Sequence, residues 1–191
     1  MKRSLGPATL ASPTPVWVIG TYDSEGRPNA MTAAWGGVAC SKPPAVSVSL
    51  REATYSYANI VDRKAFTVSI PSAHQARQAD FLGVASGRDV DKFSAAGLTA
   101  TRSDLVDAPY VAEFPLCLEC RLLHTLKIGL HTLFVGEIVD VKADEEVLVD
   151  SIPAICQVNP LVFSVGEQAY YAVGDRVGTA FQLGRDLLRP S

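Results

Sequence analysis

Arg51, Thr54 and Ser56 put one cation and two hydroxyls where a strand gives way to a helix. Ser56 precedes Tyr57-Ala58-Asn59-Ile60 and reads as the N-cap of that short helix. An arginine, hydroxyls and free backbone N–H groups at a helix start make a candidate anion site. Just upstream, Pro28-Asn29-Ala30-Met31-Thr32-Ala33-Ala34-Trp35 is small, apolar and weakly polar, and ends in an aromatic ring. It reads as a strand against whose backbone something flat can lie. Behind it, Ala45-Val46-Ser47-Val48-Ser49-Leu50-Arg51 alternates apolar and hydroxyl side chains, the period of a half-buried strand. A ligand with a planar ring at one end and a phosphate at the other suits such a site. The same residues also suit a plain Greek-key barrel with a surface Arg51 and a core Trp35.

Other chemistries find less support. Cys117-Leu118-Glu119-Cys120 has thioredoxin-like spacing but lies in a strand pattern. Residues three apart on a strand face opposite sides about 10 Å apart, whereas a disulfide needs its Cα atoms within about 7 Å. Cys120 therefore reads as a small core residue; Cys40 and Cys156 lie in loop-like contexts, with Cys40 able to border a ligand. Asp89-Val90-Asp91 imitates half a calcium loop, but Lys92 and Phe93 stand where ligands and glycine are needed. His124 and His131 have poor metal-ligand spacing, so no metal is expected. Ala85-Ser86-Gly87-Arg88 lacks the G-x-S-x-G frame of a nucleophile elbow. No glycine fingerprint of a Rossmann or P-loop protein follows a strand.

The elements that must hold these residues are mostly short strands. Val16 to Tyr22 and the Asn29 strand form a hairpin around Asp23–Pro28. The Val46 to Arg51 strand leads to a short helix ending near Asp62, then to the strand Phe66–Ile70. His74 to Leu82 has a helical pattern with Gly83 as its stop. Residues 94–110 read as loop with a short strand near Leu98 to Thr101. Long strands at Leu116–Thr125 and His131–Lys142 flank the Lys127-Ile128-Gly129 loop, and Asp144 to Ile152 reads as an acidic helix start. Leu161–Val165, Tyr170–Val173 and Thr179–Gln182 are short closing segments. So many short strands favour a closed antiparallel barrel.

The 191 residues, 48% hydrophobic and 19% charged, suit one globular domain over 1–191 with residues 1–14 as an N-terminal arm. A net charge of −3 without a basic cluster argues against nucleic acid and against an anionic membrane surface. The N-terminus lacks the apolar run of a signal peptide. No stretch approaches the roughly 18 apolar residues of a membrane span. A soluble cytoplasmic protein is the expectation.

Asn29-Ala30-Met31-Thr32-Ala33-Ala34-Trp35, with Pro43-Pro44 and the Ser47–Arg51 strand behind it, resembles the flavin reductase-like family of FMN-binding split barrels. Within that family the resemblance is to the flavoredoxin type. Asp89–Phe93, Leu118–Cys120, His131–Glu137 and Asn159–Phe163 continue the match in order over nearly the full length.

The resemblance implies a mainly β fold, a six-stranded antiparallel Greek-key split β-barrel with short connecting helices, paired as a homodimer. It implies FMN as cofactor and an oxidoreductase or electron-carrier role, with NAD(P)H or a redox protein as partner. It supports Asn29, Trp35, Ser56, Lys92, His131 and Phe163 as FMN-contacting positions, some of which could act across a subunit boundary. FMN needs cations and amides for its phosphate, hydroxyl partners for its ribityl chain and a flat slot for its ring. Arg51, Thr54 and Ser56 suit the phosphate, with Lys92 as a second cation. The backbone of Asn29, Ala30, Met31 and Thr32 offers polar contacts, Trp35 and Phe163 offer walls, and Ser49 and Leu50 complete the candidate set. No catalytic residue is expected, since the protein positions the ring and does little proton chemistry itself.

Overall fold

The computed structural model describes residues 1–188. In chain order its strands and helices are β1 (Thr14–Pro15), β2 (Trp17–Tyr22), β3 (Pro28–Ala33), β4 (Gly36–Ser41), β5 (Pro44–Arg51), α1 (Tyr55–Arg63), β6 (Ala65–Ile70), α2 (Ala76–Val84) and α3 (Lys92–Ala96). There follow β7 (Ala100–Arg102), β8 (Pro109–Val111), β9 (Leu116–Ile128), β10 (His131–Ala143), β11 (Leu148–Val149), β12 (Ile152–Pro153), α4 (Ile155–Val158), β13 (Leu161–Ser164) and β14 (Ala169–Ala172).

Seven strands form one antiparallel sheet in the order β3-β2-β6-β9-β10-β5-β4. Its two edge strands, β3 and β4, are neighbours in the chain, separated only by Ala34 and Trp35. The sheet therefore curls, and the β4–β5 ladder starts at Trp35, whose carbonyl accepts the Ser49 N–H of β5 at 2.8 Å. Inside the curl lie Trp17 and Ile19 of β2, Val46, Val48 and Leu50 of β5, Phe66 and Val68 of β6, Cys120 of β9 and Phe134 of β10. These are alternate residues along each strand, as a sheet with one buried face requires. Ile60 of α1 joins the same core, with Tyr57 and Val61 packed against it, so α1 plugs one end. Val18 and Ala30 point the other way and pack with Leu82, Phe93 and Leu98, so α2 and α3 cover the outer face of β2 and β3.

The mainly β architecture with few short helices matches the expectation. The sheet has seven strands where the resemblance implied six, because Gly36–Ser41, which the sequence reading leaves unassigned, pairs with β5 as β4. Four local signals resolve differently. Gly83 is not a stop: α2 runs through it to Val84, and the glycine is a close approach, since a Cβ there would stand 3.3 Å from Thr32 Cβ. Asp91 is a helix cap, its Oδ1 accepting the Ser94 N–H at 3.2 Å, so a helix stands inside what read as loop. Beyond Asp144 the chain makes one 3-10 turn and then the small β11–β12 hairpin, while Thr179–Gln182 is a turn. The long hairpin reaches Ile128 and Ala143. Among the described residues no helix is long and apolar enough to cross a membrane.

Candidate functional site

The first strand of the Pro28–Trp35 stretch is an edge. β3 pairs with β2 alone, and its other side faces the start of α1 and the segment joining α2 to α3. The Ala30 carbonyl points to that side, accepting Lys92 Nζ at 2.9 Å. In an antiparallel ladder a residue's N–H and C=O face the same neighbour and the next residue's face the other. Thr32 therefore also turns its backbone outward, as an edge strand does.

Three adjoining clefts follow this edge. The narrow one, ≈190 Å³, is lined by Asn29, Met31, Thr54, Ser56, Arg88 and Lys92 among others. It shares Asn29, Tyr55, Gly87 and Arg88 with a wider cleft of ≈340 Å³ that adds Asp23, Arg27, Asp89 and Asp91. At the opposite end, Thr32, Ala34, Asp80, Gly83, Phe163 and Tyr170 line an apolar cleft of ≈300 Å³. Ligand sites commonly span about 300–1,000 Å³, so the narrow cleft needs a neighbour to hold a cofactor. Asn29 and Ala34 lie five residues apart, about 16 Å of strand, which is long enough for a phosphorylated chain and a ring laid end to end.

Thr54, not Ser56, is the N-cap of α1. Its backbone is extended, its hydroxyl donates to the Arg51 carbonyl at 2.9 Å, and it makes no side-chain cap to the helix. The first turn holds no acidic residue, so its amides stay available to an anion. Ser56 sits inside that turn, fully buried, and its Oγ accepts the Asn29 Nδ2–H at 2.8 Å. Asn29 is 3% exposed and its Oδ1 has no protein partner. A buried acceptor without a partner is costly, and a ligand donor at this atom removes that cost.

Lys92 is not a free cation. It is 4% exposed and spends two N–H groups on the carbonyls of Ala30 (2.9 Å) and Leu82 (2.7 Å), tying β3 to α2. Burial pushes its ammonium down to about 8. At the polar end, burial raises the Asp23 carboxyl. Hydrogen bonds from Tyr55 Oη, the Arg27 N–H and Nε and the Glu25 N–H outweigh that and hold it well below the usual carboxylate range. The Tyr55 hydroxyl is pushed up chiefly by the bond it donates to Asp23 at 2.7 Å. At the apolar end Phe163 and Tyr170 meet at 5.5 Å between ring centroids. Burial, helped by the bond to Asp80, pushes the Tyr170 hydroxyl up to about 12.

Of the candidate residues, Asn29, Met31, Thr54, Ser56 and Lys92 meet in the narrow cleft, and Thr32 and Phe163 in the apolar one. Ala30 joins through its carbonyl. Leu50 belongs to the barrel core, and Trp35 and Ser49 meet at the start of the β4–β5 ladder. Arg51 is exposed and pairs in register with His131, outside these three clefts. Sequence reasoning missed Tyr55, Gly87, Arg88 and Tyr170. The signal available is the Gly87-Arg88 pair inside a polar turn, whose neighbours in sequence imitate hydrolase and calcium-loop patterns. Cys117 and Cys120 are buried in β9, and burial pushes the Cys117 thiol up to about 12, far from thiolate reactivity. Among the described residues no group of three His, Cys, Asp or Glu side chains is placed to hold a metal ion.

The flavoredoxin of Desulfovibrio vulgaris (Miyazaki F) is 51% identical to this chain; the match covers 96% of this chain and 100% of that one at a TM-score of 0.92. A flavoredoxin from Methanosarcina acetivorans is 29% identical, covering 98% and 99%, also at a TM-score of 0.92. An uncharacterised protein of Archaeoglobus fulgidus is 32% identical over 115 residues, which are 60% of this chain and 65% of that protein, so the chain spans just under two thirds of that relative. The flavin reductase-like domain family matches over residues 10–170, which take in all three clefts, and the chain belongs to that family.

Proposed function

We propose that this chain is an FMN-binding flavoprotein that carries or transfers electrons through its cofactor. The observation that carries the reading is the buried, unpartnered Asn29 Oδ1 in a groove that is cationic at one end and aromatic at the other. Bound FMN supplies the one- and two-electron redox chemistry. The chain's own residues bind and orient. The first-turn amides of α1 face the phosphate end, Asn29 accepts a hydrogen bond from the ligand, the outward backbone of Ala30 and Thr32 lies along the ring edge, and Phe163 and Tyr170 form the apolar wall. The flavoredoxins at 51% and 29% identity support the assignment.

The six-stranded Greek-key barrel is part of the same reading. β2, β3, β5, β6, β9 and β10 wall one core, and β4 extends its edge. So is a single cytoplasmic domain acting as a homodimer. Leu126, Ile128 and Leu130 stand exposed at the tip of the β9–β10 hairpin beside His131. A second copy covering that tip would enclose Arg51 and His131 and bring them to an intersubunit site.

One observation favours a second reading, an NAD(P)H-dependent flavin reductase. The ≈300 Å³ cleft along Thr32, Ala34, Phe163 and Tyr170 is the one at the ring end, where a nicotinamide meets the flavin face. The test is the visible spectrum of the purified protein loaded with FMN, followed by anaerobic addition of NADH or NADPH. A flavin spectrum that persists through gel filtration supports FMN binding, and bleaching by the nucleotide selects the reductase. Protein that stays colourless with added FMN overturns both readings.

A further inference from the structure

We propose that the N-terminal arm, through Ser12 and Thr14, positions the Phe163 wall of the apolar cleft and so sets how freely solvent and small solutes reach a flavin ring lying there. This rests on the FMN reading above and gives a role to two residues that touch no part of the three clefts.

Phe163 does not belong to the seven-stranded sheet. It lies on β13, the middle strand of a separate sheet in the order β1-β13-β14. On one side β14 brings Tyr170 opposite Phe163 in register. On the other side β1, from the arm, brings Thr14 opposite the same residue. The Thr14 hydroxyl donates to the Phe163 carbonyl at 3.4 Å. Two residues farther along β13's path, the Val165 N–H donates to Ser12 Oγ at 3.1 Å. Two residues before Phe163, the Leu161 carbonyl accepts the Val16 N–H at 3.3 Å. Contacts with the arm and its root therefore bracket Phe163. β1 is only two residues long, and one of them, Pro15, has no N–H to give to a ladder. Side-chain oxygens at Ser12 and Thr14 supply pairing that backbone groups supply elsewhere.

The rest of the cleft is fixed without the arm. Thr32 Oγ1 donates to the Ala79 carbonyl and ties β3 to α2, which holds the floor. At the base of the wall, the Leu161 N–H donates to the Pro71 carbonyl at 3.1 Å and the Ala73 N–H to the Asn159 carbonyl at 2.8 Å. At its far edge, Tyr170 reaches Asp80 of α2 at 3.0 Å. The turn at 165–168 is different. Among the described residues, the bond from Val165 to Ser12 is the one hydrogen bond that ties this turn to the chain outside its own hairpin. Leu10 lies over the turn as well, its Cδ2 standing 3.3 Å from where a Cβ on Gly166 would be. Phe163 sits between the anchored base and this turn. An aromatic wall held at both ends stays against a ring, whereas one held only at its base can swing away from it.

The test uses the full-length chain as parent, Ser12→Ala, Thr14→Val, the double variant and Ser12→Thr. Ser12 is exposed and Thr14 half-buried, so none of these changes enters the barrel core, and circular dichroism checks the fold. Hydrogen exchange of the flavin-free proteins reads the segment carrying Phe163 and Val165. With FMN bound, iodide quenching of flavin fluorescence reads access to the ring, and stopped flow reads release. In the double variant the segment should exchange faster, and iodide quenching and FMN release should each rise roughly 3- to 10-fold, the scale of one lost neutral hydrogen bond. Each single variant should show part of the effect, which keeps the test open if the double variant does not fold. Ser12→Thr keeps the acceptor oxygen and should match the parent. Faster exchange with parental quenching and release overturns the proposal and leaves the cofactor reading intact. So does a lower melting temperature with no other change, which would make the arm a structural strap, and so does unchanged exchange. A parent that binds no FMN overturns the cofactor reading and this proposal with it.

Discussion

Asn29 donates its amide to Ser56 Oγ at 2.8 Å, and in doing so leaves its own Oδ1 buried without a partner. The bond fixes which way the amide faces, so the acceptor is held ready for a ligand. Replacing Asn29 with alanine removes the orphaned oxygen but takes the donor from Ser56. The two effects oppose each other in the flavin-free protein, and urea unfolding should move little. In the FMN complex only a loss remains, roughly 1–3 kcal/mol of binding. Fluorescence titration checks this. A variant that unfolds readily yet binds FMN normally would make Asn29 a framework residue.

Gly87 closes over the same amide. A methyl group at this position would overlap Asn29 Oδ1 and stand 2.7 Å from Tyr55 Cδ1. The neighbours belong to β3 and α1, so the segment carrying Gly87 has to move instead. Gly87→Ala should therefore displace Arg88 from Tyr55 and weaken FMN binding. The fold should change little, because the segment is at the surface. Stopped-flow dissociation of FMN should be faster in this variant, and an unchanged rate would show that the segment does not bear on the cleft.

The Asn29 strand and a helix start near Thr54 and Ser56 were legible in the sequence because strand period and helix-start chemistry are local, although the cap falls on Thr54 and not on Ser56. The strand of Val46 to Arg51 and the helix after it followed from the same signals. The contents of the cleft did not, since Arg88 reaches Ala53 across 35 positions and Lys92 reaches Ala30 across 62. Nothing in a lysine's neighbours along the chain tells whether its charge will face a phosphate or two carbonyls. Gly83 and Gly87 misled for a related reason. Glycine marks a turn or a close approach equally well, and only the packing against Thr32 and Asn29 separates the two. The strand β4 was missed because its residues are mostly exposed and lack alternation.

The Lys92 ammonium is held at about 8 by burial, against an ordinary 10.5. Between those values the folded protein has shed a proton that the unfolded chain keeps. Stability from this group therefore rises with pH across that window, the penalty being fully present below about 8. The gap corresponds to roughly 3 kcal/mol. Urea unfolding of the parent and of Lys92→Met at pH 8 and pH 10 isolates it. The stability difference between the two should shift toward the parent as pH rises. An unchanged difference would mean that the Lys92 charge is not penalised in the fold.

The β9–β10 hairpin projects past the barrel, with Leu126 58%, Ile128 57% and Leu130 65% exposed at its tip. Apolar side chains grouped this way on a rigid hairpin are costly in water unless something covers them, and a two-fold pair of identical chains covers such a patch with its own copy. His131 follows Leu130 directly and faces Arg51 in register. Covering the tip therefore also alters the surroundings of Arg51 and His131, two of the candidate cofactor residues that stand outside the clefts of a single chain. Replacing Ile128 and Leu130 with lysine places like charges at the contact without disturbing the barrel core. Sedimentation should change from dimer to monomer, circular dichroism should be preserved, and FMN affinity should fall if Arg51 and His131 act across the boundary. A parent that sediments as a monomer removes the homodimer. A monomeric variant that keeps full FMN affinity confines the site to one subunit.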